Sequence, residues 1–310
     1  MDKYGIPYMG SKSDIVASIA LNLPKAENFY DLFGGGFAVT HYMLKNKSHR
    51  YKNFHYNEIK SDVVELVKKA TNGDFNYDKF KPDWISREDF LARKDTDAYV
   101  RCLWSFGNNQ KDYLFAKDIE PYKRSLHMAV VFDEFDDIAK EVTKLKEWPK
   151  EIATIKQRRL YIKQRIRFDK PHLIPTELEQ LTRLERLQRL QQLQQLEQLE
   201  RLQQLQQLQQ LQQLQRLSFS SFSYEQVAIK PNSVVYCDIP YQGTNDYGAF
   251  EHRQFFDWAA SRTFPVYISE YKIDDSRFKL VYEIERKTKL SHKGMTAHHS
   301  EKLYWNGKSL

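Results

Sequence analysis

Val234-Val235-Tyr236-Cys237-Asp238-Ile239-Pro240-Tyr241 decides how this chain folds. The Val-Val-Tyr run is β-branched and aromatic, which suits a buried strand. The strand must then stop, because Pro240 offers no N–H to a ladder and biases Ile239 towards an extended backbone. A carboxylate, a carbonyl and an aromatic ring are thereby presented together at the strand's C-terminal end. In open α/β sheets that edge is where ligands bind. A plain strand followed by a turn would read the same way, so the neighbouring stretches carry the discrimination.

Residues 28–40 supply the first of them. Asn28-Phe-Tyr-Asp-Leu-Phe33 reads as a strand, Gly34-Gly35-Gly36 as a turn, and Phe37-Ala-Val-Thr-His-Tyr-Met-Leu44 as a helix. Glycines between strand and helix permit positive φ and let a ligand touch the backbone closely. The dinucleotide pattern G-x-G-x-x-G is absent, and a tight βα connection alone would also use glycine. The next strand, Tyr51 to Asn57, is followed by Glu58 and a helix from Ile59 to Ala70. An acid closing the second strand, roughly 20 residues after a glycine turn, is placed to hydrogen-bond ribose hydroxyls. It would equally favour the helix N-terminus through the macrodipole. The glycine turn and Glu58 together describe an adenosine-binding half-sheet.

Upstream, Tyr4-Gly-Ile-Pro-Tyr-Met-Gly-Ser-Lys12 forms a loop leading into a helix that Ser11 or Ser13 can cap. Ile15, Val16, Ile19, Ala20 and Leu23 give that helix an apolar face, and Pro24 ends it. Tyr8 and Lys12 sit where an anionic or aromatic ligand could be held, unless Gly10 merely turns a surface loop.

Composition narrows the class. With 310 residues, 41% hydrophobic and 14% aromatic, the chain can bury a full core and an appended smaller domain. A net charge of +7 favours a polyanionic partner without demanding one. Cys102 and Cys237 lie far apart, without disulfide-framework or zinc spacing. No apolar leader and no run long enough for a bilayer is seen, so a reducing cytoplasm is the expected compartment.

Residues 71–172 are polar, aromatic and helical in character. Trp104-Ser-Phe-Gly-Asn108-Asn109-Gln110 is a loop whose amides suit base contacts or a packed turn. Further on, Ile152, Ile155, Ile162 and Ile166 are expected to line one helical face, leaving Arg158, Arg159, Lys163, Arg165 and Arg167 largely outward. A basic face of that density commonly contacts phosphates, and otherwise is a solvated helix. Every third residue from Leu178 to Leu217 is then leucine, mostly separated by Gln, Glu or Arg. Three residues advance an α-helix by about 300°, so such leucines creep around the cylinder and fit a coiled coil badly. Helix propensity is high, so 173–218 is read as a low-complexity helical insert that could self-associate.

After it, Phe250 to Ser261 reads as a helix and Pro265 to Glu270 as a strand. Phe278–Ile284 and Lys302–Trp305 read as a closing antiparallel pair. His292, His298 and His299 lack a carboxylate partner at metal spacing and are read as surface histidines, so no metal is expected.

Four stretches, in this order, resemble motifs of the D12 class (Dam-like) of S-adenosylmethionine-dependent DNA adenine-N6 methyltransferases. Tyr8-Met-Gly-Ser-Lys12 looks like the N-terminal cofactor motif, in which the aromatic residue and the lysine touch the cofactor. Asp31-Leu32-Phe33-Gly34-Gly35-Gly36 looks like the glycine-rich methionine-binding loop. Asn57-Glu58-Ile59 is similar to Asn-Asp-Ile, whose acid holds the ribose. Asp238-Ile239-Pro240-Tyr241 looks like the catalytic Asp-Pro-Pro-Tyr.

The resemblance implies a Rossmann-like α/β methyltransferase sheet from residues 1–70 and 225–310, with a helical target-recognition region at 71–172 and the Leu/Gln-rich insert at 173–218. It implies S-adenosyl-L-methionine as cofactor and double-stranded DNA as partner. Tyr8, Lys12, Asp31, Phe33, the three glycines, Glu58 and Asp238 would bind the cofactor. Asp238, Ile239, Pro240 and Tyr241 would form the reaction centre for a flipped adenine. Two residues depart from the pattern. Glu58 keeps the carboxylate but lengthens its reach, and Ile239 still supplies the carbonyl that the family uses. Cytosine-N4 or RNA methylation, or a non-catalytic DNA-binding scaffold, are the competing expectations.

Overall fold

The computed structural model describes residues 3–168, 196–211, 216–242, 250–287 and 298–310, with backbone alone at 165–168, 285–287 and 298–299. The chain divides into two compact units, one of Met1–Asn72 with Gln207–Leu310 and one of Gly73–Gln206.

The first unit is built on a seven-stranded sheet with the order β3-β2-β1-β4-β5-β7-β6. Its strands are β1 (Asn28–Asp31), β2 (Asn53–Asn57), β3 (Leu217–Ser220), β4 (Ser233–Asp238), β5 (Val266–Glu270), β6 (Lys279–Lys287) and β7 (His298–Trp305). The first five run parallel, and β7 joins β5 and β6 antiparallel. Strands buried on both faces read as unbroken apolar runs, as in Val234-Val-Tyr-Cys237 and Val266-Tyr-Ile268. The chain reverses its direction of travel across the sheet between β1 and β4, where a ligand crevice opens in such folds.

Three helices flank the motifs: α1 (Val16–Asn22), α2 (Ala38–Asn46) and α3 (Ser61–Thr71). The apolar face expected for α1 is buried. Neither serine caps it, because Ser13 Oγ instead accepts from the Tyr4 N–H at 2.8 Å, which ties down the N-terminal loop. β3 went unread in the sequence, because it begins on the last leucine of the triplet repeat.

The second unit consists of α4 (Arg87–Arg93), α5 (Ala98–Leu103), α6 (Glu120–Phe132), α7 (Asp137–Thr143), α8 (Ile155–Phe168) and α9 (Glu197–Gln207), the last of which ends at the unit boundary. The leucines of the described half of the repeat are not spare. Leu196, Leu199, Leu202, Leu205, Leu208 and Leu211 are all buried. Leu196 and Leu199 join a core with Leu126, Ala129, Val130, Ile155 and Ile162. The creep is tolerable because Leu199, Leu202 and Leu205 together sweep only about 120°, close to the width of an ordinary apolar stripe. At Leu208–Leu211 the chain tightens to a 3-10 helix, whose three-residue turn returns each leucine to the same face, and this turn packs on α3. Of the insert expected at 173–218, the described stretch 196–211 is helical from Glu197 on, and its leucines fill this chain's own cores. Residues 173–195 and 212–215 lie outside the described residues. Arg201, within the repeat, donates through Nη1 to the carbonyls of Leu103 at 3.0 Å and Ser105 at 2.6 Å, just past α5.

The basic face of α8 also needs correction. Arg158 and Arg159 stand three and four residues after Ile155 and before Ile162, so they share the face those buried isoleucines define. Arg158 pairs with Asp133 at 3.1 Å and lies over the Trp148 ring, while Arg159 donates to Gln203 at 2.8 Å. Lys163 is exposed, facing Glu200 at 3.2 Å. The side chains of Arg165 and Arg167 lie outside the described residues, as do those of His292, His298 and His299.

Candidate active site

A cavity of about 680 Å³ opens at the C-terminal ends of β1, β2 and β4, wholly within the first unit. Tyr8, Lys12, Asp31, Phe33, Gly34, Gly35, Gly36, Glu58, Asp238, Ile239, Pro240 and Tyr241 all line it. Its size lies within the usual range of small-molecule pockets.

The glycine turn is locked from below and above. Gly34 N–H donates to the Asn57 carbonyl at 2.9 Å, and the Tyr56 hydroxyl donates to the Gly35 carbonyl at 2.7 Å. A Cβ at Gly34 would stand 2.2 Å from the Tyr56 ring, and one at Gly36 would stand 2.4 Å from Tyr8 Cβ. Only Gly35 of the three takes a positive φ, and the second left-handed residue of the turn is Phe37. Glycine at 34 and 36 is thus demanded by close packing, and by conformation only at 35. Ile6 N–H donates to the Gly36 carbonyl at 2.8 Å, which seats the Tyr8 loop on the turn.

Glu58 closes the far side. It is buried, with Oε2 accepting from the Gly35 N–H at 2.9 Å and Oε1 from the Lys60 N–H at 3.1 Å at the start of α3. Burial raises its pKa against those two hydrogen bonds. Ile59 and Phe222, both large and exposed, stand beside it on the cavity wall.

Asp31 and Asp238 end the two strands that flank the reversal. Asp31 Oδ2 accepts from Thr40 Oγ1 at 2.8 Å, while its Oδ1 is buried with no hydrogen-bond partner. Burial pushes its carboxyl up to about 7, against the Thr40 hydrogen bond. Strand alternation sends Tyr236 and Asp238 into the cavity, while Cys237 and Ile239 go into the apolar core with Leu32, Phe255 and Ile268. Ile239 is accordingly a packing residue by its side chain, with its main chain at the cavity edge. The Pro240 carbonyl is engaged by His252 Nε2 at 2.7 Å.

Lys12 is the cation facing this carboxylate. Its Nζ lies 2.9 Å from Asp238 Oδ1 and 2.8 Å from Glu301 Oε1, with the Tyr241 ring centroid 4.7 Å away. The Asp238 contact is an ion pair by distance without the angle of an aligned hydrogen bond, so Oδ1 keeps acceptor capacity. Burial pushes Asp238 up to about 6, with Lys12 opposing and Glu301 adding to the rise. For Lys12 burial works downward, yet Asp238 and Glu301 outweigh it and its pKa is raised. The Tyr241 hydroxyl donates to Glu301, and its ring meets Tyr271 edge-on with centroids 4.5 Å apart.

Sequence reading missed Glu301, Glu270 and Tyr271. Glu270 closes β5 as Asp238 closes β4, a signal that was legible. It accepts from the N–H groups of Gln242 at 3.1 Å and Tyr271 at 2.7 Å, tying the chain after the tetrapeptide to β5. Glu301 sits in a polar run with no local sign of burial. In the second unit, Asn109 Oδ1 accepts from the N–H groups of Lys111 and Asp112, and its Nδ2 donates to Asp112, so this amide folds its own turn. Asn108 takes a positive φ beside it. Among the described residues no group of His, Cys, Asp and Glu could hold a metal ion, and no helix is long and apolar enough to cross a membrane.

A parallel sheet that reverses between two acid-ended strands, with a glycine turn and a second-strand acid around one cavity, defines an α/β enzyme domain of the nucleotide-cofactor kind. The family model for D12 class N6 adenine-specific DNA methyltransferases matches residues 8–303, and the chain belongs to that family. It is an adenine-N6 DNA methyltransferase, of a class that uses S-adenosylmethionine and acts on a base turned out of the duplex. A comparison with curated proteins found no match.

Proposed function

We propose that the cavity of the first unit binds S-adenosyl-L-methionine and a flipped adenine side by side, with Asp238-Ile239-Pro240-Tyr241 between them. The observation that carries this is the burial of Asp31 Oδ1 without a hydrogen-bond partner at the mouth of a glycine turn that has no room for a Cβ at Gly34 or Gly36. A buried acceptor of that kind is costly unless a donor arrives, and the cofactor's ammonium is such a donor. Glu58 would hold the ribose hydroxyls, Ile59 and Phe222 offer apolar surface to its base, and Tyr8, Lys12 and Phe33 bound the remaining space. When bound, the cofactor supplies an electrophilic methyl group on its sulfonium.

The chain's own residues then act on the target amine. Adenine N6 is a poor nucleophile because its lone pair is delocalised into the ring. Asp238 and the Ile239 carbonyl would accept its two N–H bonds and so draw the lone pair out of conjugation, aimed at the methyl group. Tyr241 would stack on the base. Asp238 accepts most strongly when ionised, and Lys12 favours that form. The gain comes from positioning and electrostatics.

The unit Gly73–Gln206 is proposed as the target-recognition part, since it interrupts the catalytic unit in sequence and carries the basic helix. Asn108, Lys163, Arg165 and Arg167 remain its proposed DNA contacts. Any self-association through the repeat would fall to leucines before Leu196.

Asp238→Ala tests the reading. Methyl transfer to adenine is expected to fall on the order of 1000-fold while S-adenosylmethionine binding, followed by calorimetry, survives in weakened form. Near-wild-type transfer by this variant refutes the mechanism.

A further inference from the structure

Glu301 reaches the cavity on β7, an element that contributes none of the four motifs. It is 4% exposed, yet meets Tyr241 of the reaction centre and Lys12, the cation facing Asp238. One ammonium, Lys12 Nζ, stands 2.8 Å from its Oε1 and 2.9 Å from Asp238 Oδ1, and the Tyr241 hydroxyl donates to the same Oε1.

We propose that Glu301 is a positioning residue for methyl transfer: by sharing Lys12 with Asp238 and anchoring the Tyr241 hydroxyl, it leaves the Asp238 carboxylate able to accept from the target amine. The inference rests on the role given to Asp238 above. Its physical basis is competition. In a buried site a lone ammonium facing one carboxylate makes a full-strength pair, which blunts that carboxylate as an acceptor for anything else. Divided between two carboxylates, the same ammonium favours ionisation of Asp238 without capturing it. Asp238 also faces Tyr241 beside it, Tyr236 on its own strand, Asp31 on β1 and Glu270 on β5, as the direction of their mutual shifts shows. Of these neighbours Lys12 alone is cationic, and with the Glu301 charge removed Asp238, 2.9 Å away, is the carboxylate left in direct contact with it, beside the Gly10 carbonyl that its Nζ also meets at 3.3 Å.

Glu301→Gln is the test, with Glu301→Asp as the conservative partner and Asp238→Asn run alongside. For Glu301→Gln, kcat is expected to fall about 10- to 100-fold, the worth of one charge-assisted hydrogen bond. S-adenosylmethionine affinity should hold, and the acid limb of the kcat–pH profile should move to lower pH, because Glu301 helps to raise Asp238. Glu301→Asp should recover part of the lost kcat. An unchanged kcat, or a loss that tracks melting temperature and cofactor affinity with the acid limb unmoved, overturns the proposal. Should Asp238→Asn methylate normally, the role of Asp238 itself falls. An inert Asp238→Asn beside an unaffected Glu301→Gln refutes the Glu301 inference alone.

Discussion

The reaction-centre cluster on β4 and the basic helix α8 are both dense in charge, and they use it in opposite ways. At the end of β4, Lys12, Asp238 and Glu301 converge from three separate elements on a cavity, and an acceptor is left with capacity to spare. On α8, Arg158 and Arg159 spend their donors on Asp133 and Gln203 inside their own unit. Charge density in a sequence therefore says little about binding. What distinguishes the two is where the charges meet: Lys12, Asp238 and Glu301 all line one cavity, whereas Arg158 and Arg159 of α8 each pair with a side chain of their own unit.

That contrast can be broken at several points. The largest effect is expected from Asp238→Ala, a loss of methyl transfer on the order of 1000-fold, comparable to deleting a preorganised electrostatic contact. Next come Gly34→Ala and Gly36→Ala, whose new Cβ atoms would press on the Tyr56 ring and Tyr8. Each should lower stability by about 2 kcal/mol, the usual scale of overpacking, and weaken cofactor binding; thermal melts and calorimetry read both. Wild-type methyl transfer should fall as pH drops through about 6, as Asp238 takes up a proton and loses its capacity to accept. Stability runs the other way. Asp31, Asp238 and Glu270 have folded-state pKa values of about 7, 6 and 7, above the unfolded value of about 4. Their contribution to stability is whole below about pH 4 and is lost as pH rises through those folded values. The cofactor-free protein should consequently gain melting temperature from pH 8 to pH 6 on their account, and Asp31→Asn should flatten the gain. The smallest effects belong to α8. Arg158→Ala should lower the melting temperature, with a cost of about 1 kcal/mol for a partly exposed pair, and leave the salt dependence of DNA binding unchanged. Lys163→Ala should do the reverse, reducing the slope against log salt by about one.

The central sheet was legible because its strands announce themselves. The apolar run to Cys237, the stop at Pro240, the glycine turn at 34–36 and the acid at 58 each follow from local chemistry, and all meet at one cavity. What could not be read comes from distance in sequence. Glu301 matters because β7 inserts between β5 and β6, a pairing that no local pattern specifies. On α8 the expected isoleucine face is buried at Ile155 and Ile162, but it takes in Arg158 and Arg159 instead of leaving them outward. With Ile155 and Ile162 taken as the buried edge, i+3 and i+4 already place Arg158 and Arg159 beside them. The triplet leucines were misjudged by assuming a single helical pitch, when the chain changes to the 3-10 turn where the period requires it.

Arg201 gives that repeat a fixed origin. Its guanidinium meets the carbonyls of Leu103 and Ser105, so the triplets from Leu196 onward have an address that their monotony would otherwise deny them. Inserting one Leu-Gln-Gln triplet between Arg201 and Leu211 would slide the following turns by about 4.5 Å. Leucines would still face the core, yet β3 would be pulled out of step with the strand it joins. The same triplet inserted ahead of Leu196 would leave that address untouched. From Arg201 to Leu211, then, the number of triplets is held to a fixed count by what stands at either end.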